Sequence, residues 1–525
     1  MLKFQVMSSL LIIGLILLGS NIFSVSSHKQ STTTHSTSNH YVQVQLLGIN
    51  DFHGQLNKYR KVSGAIAGGA EYLAAYLKKY KNENPNTLLV HAGDMVGGSP
   101  PISSQFQDEP TIDFLNLLHI DVGTPGNHEL DEGVQEMKRL INGGYHEKTG
   151  YFKGANPSYI SANIIDKETG TPLLPPYIIK KIDGIKIGFI GVVTTETNLY
   201  VSRENRKEVE ITDEVSAINR TVNQLKEKGI KAIVVLAHVS AKSDQSGTNP
   251  EEALVEMVPK IDDEVDVIFA GHSHHYAKTI VNDKLIVQAY SYGEAFSQVN
   301  IQIDRNTQDI IEKEAKIVVT SHDHIEPDQE TVTFLKNLKE KMGNQFNQII
   351  GVIPEEISRK QDANGESPFA KMIAESERKA MGTEIAFVHQ GEMRGGLKRG
   401  NITLEELYTQ MPFGHSVSKL ILTGNQIKLA LEQQWSKDQE NNMLQTVGLT
   451  YRWDPNAPIG SRIVTLKDSK GQNLQPEREY EVAVSNYLAS GGDNFSAFEQ
   501  GRMVENGPQV VTAFLHYIQQ KYPMK

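Results

Sequence analysis

The sequence predicts an α/β protein built as two layered domains joined by a helix. Three observations carry that prediction. Between Tyr41 and about Val319, short apolar runs alternate with amphipathic helical stretches, and such alternation implies a layered α/β domain. Residues 322–351 then form a long polar helix pattern with only a thin apolar stripe. From about Gly351 to the end, strand and helix signals begin afresh. A chain of 525 residues is long enough for two or three domains with complete cores.

At the N-terminus Lys3 precedes the apolar stretch LLIIGLILLG (10–19), and Ser24-Val25-Ser26 offers small residues for cleavage. This is the pattern of a secretory signal peptide over residues 1–26, and the run is short for a membrane span. No Cys follows it to carry a lipid. Residues 27–40 are polar and of low complexity and read as a disordered lead. No later run is long and apolar enough to span a bilayer, so the cleaved product is expected to be secreted or extracytoplasmic, with no stable membrane span.

Residues 41–320 form the first predicted domain. Five apolar runs within it end in polar residues: LLGINDFH (ending at His53), LLVHAGD (88–94), VGTPGNHELD (122–131), IVVLAHVS (233–240) and VDVIFAGHSHH (265–275). Each apolar part is short and often β-branched and reads as a buried strand. The polar residues come where the strands would end, and in an open α/β sheet those carboxyl ends form the ligand crevice. Between the strands lie the helix patterns GAEYLAAYLKKYK (69–81) and DEVSAINRTVNQLKEKG (213–229), the second closed by a glycine. Pro327 precedes the connecting helix, and residues 321–351 are expected to form that helix and an interdomain hinge. The second domain, 352–525, has a helix signal at SPFAKMIAESERKAMG (367–382) and strand signals at TEIAFVHQ (383–390) and REYEVAVSNYLA (478–489).

Composition narrows the chemistry. The formal net charge of −11 argues against a nucleic-acid polymer as partner, but leaves small nucleotides possible. With no cysteine, disulfides, thiolate catalysis and thiolate metal sites are all excluded. What remains is a set of hard oxygens and imidazoles at strand ends. Asp51 and His53 stand two apart, where extended backbone would point both the same way. Asp94 sits in a turn with Gly93, Gly97 and Gly98, which lets ligands approach the backbone. Asn127 and His128 follow, with Asp131 three residues on. His238 ends the fourth strand, and His272 and His274 repeat the two-apart spacing. Such a mixed N/O set suits divalent transition metals. Any one of these residues alone has a structural explanation, and His91, His119, His146 and His275 read that way. The ordered blocks DxH, GD, GNHExxD, a strand-end His and GHxH do not.

These blocks resemble the calcineurin-like metallophosphoesterases, and more closely the secreted bacterial 5′-nucleotidases. The resemblance covers the whole first domain and implies a four-layer αββα metallophosphatase sandwich, a connecting helix and a C-terminal α/β substrate-binding domain. It implies two divalent metal ions, of the Mn²⁺, Zn²⁺ or Co²⁺ kind. Asp51, His53, Asp94 and His274 would hold one. Asp94, Asn127, His238 and His272 would hold the other, with Asp94 bridging. His128 and Asp131 would form a catalytic pair. Two such cations about 4 Å apart acidify a bound water and clamp phosphoryl oxygens, and the remaining work is charge neutralisation. His274 stands where many members have Gln.

The second domain resembles the family's C-terminal domain in HQGEMRGGLKRGNITLEELYTQMPFGHSVSKLILTG (389–424) and YLASGGDNF (487–495). By that resemblance Phe413 and Tyr487 sandwich the base, Asp493 holds the ribose, Arg394 holds polar parts of the nucleotide, and Arg359 is a candidate for a further arginine. Stacking needs only a π-face and discriminates little among bases. His389 departs from the family's usual Asn, and so does His415 in a position often held by Asn. The expected activity is release of phosphate from nucleotides. A 2′,3′-cyclic-nucleotide 2′-phosphodiesterase with 3′-nucleotidase activity would use the same metals and reader. A catalytically inactive surface binding protein would be marked by a lost ligand, and none is lost.

Overall fold

The structure is a computed structural model that describes residues 40–524 apart from 63, 363–364 and 436–441. The signal segment and, His40 aside, the polar lead lie outside the described residues. Residues 41–525 form one compact unit. Among the described residues no helix is long and apolar enough to cross a membrane.

The five motif-bearing strands do not share one sheet. Tyr41–Ile49, Thr87–His91 and Val122–Gly123 lie in a six-stranded sheet, while Ala232–His238 and Val265–Phe269 lie in a second six-stranded sheet. Sequence periodicity identifies a buried strand but not the sheet it joins. Within each sheet the motif strands pair in parallel, with Ile49 beside His91, His91 beside Gly123, and Leu236 beside Phe269. Their carboxyl ends therefore come out together. The two sheets pack face to face through Leu46, Val90, Phe189, Val234 and Phe269. Gly48 permits the close approach, since a Cβ there would stand 2.3 Å from the Phe269 ring. The helices Ala70–Glu83 and Glu109–Leu118 cover the outer face of the first sheet. Glu214–Glu227 covers the second. The result is helix, sheet, sheet, helix, with the ligand loops along one rim.

Local chemistry sets the helix ends. Asp213 caps its helix by accepting from Ser216 N–H at 2.8 Å, and Gly229 just past that helix takes φ 71°. Ser367 caps Pro368–Met381, which ends at Gly382 with φ 63°. The connecting helix spans Gln329–Met342, with Asp328 as its cap. Its thin stripe, Leu335, Leu338 and Met342, followed by Phe346, is buried in the first domain's core.

The second domain is a five-stranded sheet with Glu479–Ser485 at its centre, flanked by Ile385–Val388 and Ser416–Thr423. Pro368–Met381 and Val510–Lys521 pack on one face and Gly424–Glu432 on the other. Tyr487 falls on the short helix Asn486–Ala489 that follows the central strand, not on the strand itself.

Candidate metal centre

The ligand side chains converge, by a backbone route other than strand alternation. The first strand ends at Ile49, and Asp51 and His53 both have positive φ, 50° and 49°. Asp94 (55°), His272 (79°) and His274 (60°) do the same. Five non-glycine residues in the left-handed region cost about 1–2 kcal/mol each. Backbone hydrogen bonds between the loops hold them there: Asp51 N–H to Gly93 O (3.0 Å), His53 N–H to Asp94 O (3.0 Å) and Tyr292 N–H to Asp51 O (2.7 Å). Strain of this kind gathers at functional sites because surrounding structure enforces it.

Asp94 sits at the middle. Its Oδ1 accepts the His128 backbone N–H at 2.9 Å. Its Oδ2 faces His238 Nε2 at 3.1 Å and His53 Nε2 at 3.6 Å. On one side, His53 Nε2 and His274 Nε2 approach to 3.1 Å, and His274 Nε2 lies 3.5 Å from Asp51 Oδ1. On the other, Asn127 Oδ1 faces His238 Nε2 at 3.1 Å and His272 Nδ1 at 3.0 Å. Three groups with metal-binding spacing result among the described residues, Asp51–His53–His274, Asp94–His238–His272 and, joining them, His53–Asp94–His128. Gly126 makes room for the central carboxylate: a Cβ there would meet Asp94 Oδ1 at 2.2 Å.

The donor set fits a cation. Asp51 and Asp94 are buried, and neither has a Lys or Arg ion pair among the described residues. Buried carboxylates without such a partner are costly. Burial pushes the Asp51 pKa up to about 6. His238 donates Nδ1–H to Ala92 O at 2.8 Å, so a neutral ring would aim its Nε2 lone pair at the Asp94 oxygen. Asp94 and Asp51 outweigh burial and raise His238 to about 9. A proton there does what a metal ion would do. Burial holds His53 and His274 well below the usual histidine range, which keeps their nitrogens free to ligate.

Three supporting residues were not singled out from sequence. Glu129, the acid of GNHE, accepts from the backbone N–H groups of Asp94 (3.0 Å), Met95 (2.8 Å) and Gly126 (2.5 Å). It ties two ligand loops together, and burial and Asp94 push its pKa up to about 7. Asn50 donates to Asp51 Oδ2 at 2.6 Å and to Tyr290 O at 2.7 Å. Glu196 lies 2.9 Å from His272 Nε2 and fixes the ring from behind, as carboxylates do for metal-binding histidines. Glu129 lies inside the GNHExxD block, so its position was a usable signal. Glu196 is 76 residues from His272 and carried none. Of the histidines read as structural, His91 is buried against Tyr159 and His275 pairs with Glu252 at 2.5 Å.

His128 Nδ1 lies 2.7 Å from Asp131 Oδ2. Asp131 and Asp94 outweigh burial and raise the ring's pKa. The other nitrogen, Nε2, is 3.2 Å from Arg394 Nη2, which reaches across from the second domain. Arg394 also lies over the Phe413 ring, 4.9 Å from its centre. Gly98 leaves the space, since a Cβ there would meet Arg394 Nη2 at 2.6 Å. Arg359 donates to Gln390 O at 3.2 Å, and burial and repulsion from Arg394 lower its pKa. Two arginines that repel each other near an imidazole make a place for an anion.

A cavity of about 410 Å³ opens beside this point, bounded by His128, Asp131, Tyr200, Phe413, His415 and Tyr487. Phe413 and Tyr487 both reach it, but His415 stands between them. Its ring stacks on Phe413 (5.4 Å, 13°) and on Tyr487 (5.3 Å, 1°). Asp493 is buried. Its Oδ1 accepts from Tyr487 OH at 2.7 Å, and its Oδ2 lies 2.7 Å from His389 Nδ1. Asp493 outweighs burial and raises the His389 pKa.

The family model described as calcineurin-like phosphoesterase matches residues 44–276, and that of the 5′-nucleotidase C-terminal domain matches residues 348–500. The endonuclease YhcR of Bacillus subtilis is 37% identical over 488 residues, which cover 91% of this chain and 40% of that protein. The cell wall protein Lmo0130 of Listeria monocytogenes is 33% identical over 526 residues, covering 91% of this chain and 67% of that protein. The chain thus spans well under half the length of the first relative and about two thirds of the second. Among solved structures, the 5′-nucleotidase precursor from Thermus thermophilus superposes with a TM-score of 0.79 at 23% identity, over 92% of this chain and 97% of that one. With both family halves present in order, the chain belongs to the 5′-nucleotidase family of calcineurin-like metallophosphoesterases.

Proposed function

We propose that the chain is a dinuclear metallophosphohydrolase that releases phosphate from nucleotides, nucleoside monophosphates above all. The observation that carries this reading is Arg394, which leaves the second domain and ends 3.2 Å from His128 beside the ligand cluster of the first. Asp51, His53, Asp94 and His274 would hold one ion; Asp94, Asn127, His238 and His272 would hold the other. Bound there, the ions supply Lewis acidity toward phosphoryl oxygens and a nucleophilic water at neutral pH. Arg394 donates to a non-bridging phosphoryl oxygen, and Arg359 adds positive charge behind it. Asp131 fixes His128 through Nδ1; with Arg394 drawn to the phosphoryl oxygen instead of to Nε2, a protonated Nε2 would face the anion and stabilise charge or protonate the leaving oxygen. Phe413 and Tyr487 border the cavity on the leaving-group side and supply the aromatic faces for a base.

A place outside the cytoplasmic membrane is supported by the apolar N-terminal stretch followed by small residues and by the name of one relative, a cell wall protein. Phosphate release from AMP, ATP, 2′,3′-cyclic AMP and 3′-AMP by the metal-loaded full chain tests the substrate. AMP is expected to lead. Preference for the cyclic nucleotide and 3′-AMP would instead make the chain a 2′,3′-cyclic-nucleotide phosphodiesterase and 3′-nucleotidase. Release from none, with the metals bound, would make it a binding protein.

A further inference from the structure

The nucleoside reader is already filled by the protein's own side chains. His415 lies parallel to both Phe413 and Tyr487, at the stacking distance from each, which is where a base between these two rings would lie. His389 lies against Tyr487 as well, with ring centres 5.1 Å apart and planes tilted by 32°. The Tyr487 face turned to the slot is therefore taken by His415. The two oxygens of Asp493 are likewise engaged, one by the Tyr487 hydroxyl and the other by His389 and Asn442.

The His415 ring is held less firmly than its surroundings. Its backbone is fixed, because Val510 N–H donates to His415 O at 2.9 Å. Its ring Nδ1 is buried with no hydrogen-bond partner, a position that carries a desolvation cost and no bond to offset it. Stacking alone holds the ring in the slot. A change of side-chain rotamer would release it, and there is room to receive it. The cavity adjoins the ring.

From this we infer that His415 is a displaceable plug of the reader, which a nucleobase must expel before it can stack. The inference rests on the proposed nucleotide reading. Every nucleoside loses affinity to the same exchange, because the ring's own stacking must be given up before the base's is gained. The plug therefore sets a common threshold for base-bearing ligands and does not choose among bases.

The test is calorimetric titration of the metal-loaded full chain with adenosine, together with KM for AMP, in wild type, His415→Ala and His415→Phe. Thermal melts check that each variant is folded. Expected are roughly tenfold tighter adenosine binding and a lower KM in His415→Ala, as removing a self-occupying group lifts a population cost. His415→Phe, a larger ring with more stacking surface, is expected to weaken both. Adenosine binding that is unchanged or weaker in folded His415→Ala, while wild type hydrolyses AMP, overturns the plug and leaves the nucleotide reading standing. Absence of AMP hydrolysis and of adenosine binding in wild type and both variants overturns the nucleotide reading and the plug with it.

Discussion

His128 is fixed from two sides, by Asp131 at its Nδ1 and by its own backbone N–H on Asp94. Replacing the ring removes Nε2 chemistry while keeping the backbone bond. His128→Asn is expected to lower kcat by about 10²-fold or more with metal content, measured by elemental analysis, unchanged. Parallel loss of metal would make His128 a ligand instead. A second residue has a pH signature. Glu377 is fully buried, its two oxygens lack hydrogen-bond partners, and burial with Glu392 nearby raises its pKa well above 4.5. Folded, it keeps its proton; unfolded, it loses it at about its ordinary value. Unfolding therefore releases a proton above that pH, and stability falls as pH rises toward the folded-state pKa. Glu377→Gln keeps the shape without the titration. Thermal melts should show the variant gaining on wild type as pH rises above about 4.5, the group's ordinary value, and parallel curves would contradict the assignment. At this scale the candidate ligand cluster was legible because few structural patterns place Asp, Asn and His just after five strands. Glu196 and His415 were not, since each matters only through a partner or a gap that folding creates.

The connecting helix belongs energetically to the first domain. Leu335, Leu338, Met342 and Phe346 are buried in the core that includes Leu73, Leu77 and Phe114. A fragment ending at residue 320 strips four large apolar residues from that core, each worth about 1.5–3 kcal/mol when buried. A fragment ending at 348 keeps them. The longer fragment is expected to fold with a cooperative melt and the shorter to melt lower or aggregate; equal melting would place the helix outside the domain. The thin apolar stripe foretold a helix with one buried edge, but not the surface that covers it. The helix caps at Asp213 and Ser367 were legible because capping is local chemistry. The left-handed turns at Asp51, His53, His272 and His274 were not. Their non-glycine residues favour other conformations, and the interloop hydrogen bonds that enforce the turns come from distant segments.

Across the whole molecule, the two domains meet where the chemistry is. Besides Arg394 and His128, Lys58 pairs with Glu405 at 2.9 Å and Arg203 with Glu499 at 3.0 Å. The connecting helix is fixed to the first domain, and residues 343–348 lead from it to the strand Ile349–Ile353. Exhaustive chelation is expected to abolish phosphate release, and Mn²⁺, Zn²⁺ or Co²⁺ to restore it; full activity after chelation would remove the metal mechanism. The two-domain plan was legible as two runs of alternating elements. The way one domain completes the other's site was not, because 266 residues of sequence separate Arg394 from His128. That shared site is tested most directly by kcat/KM for AMP in Arg394→Ala beside wild type, at matched metal content. A loss of about 10²-fold or more is expected, the weight of a charged donor aimed at a phosphoryl oxygen. Undiminished kcat/KM would contradict a phosphoesterase site built by both domains.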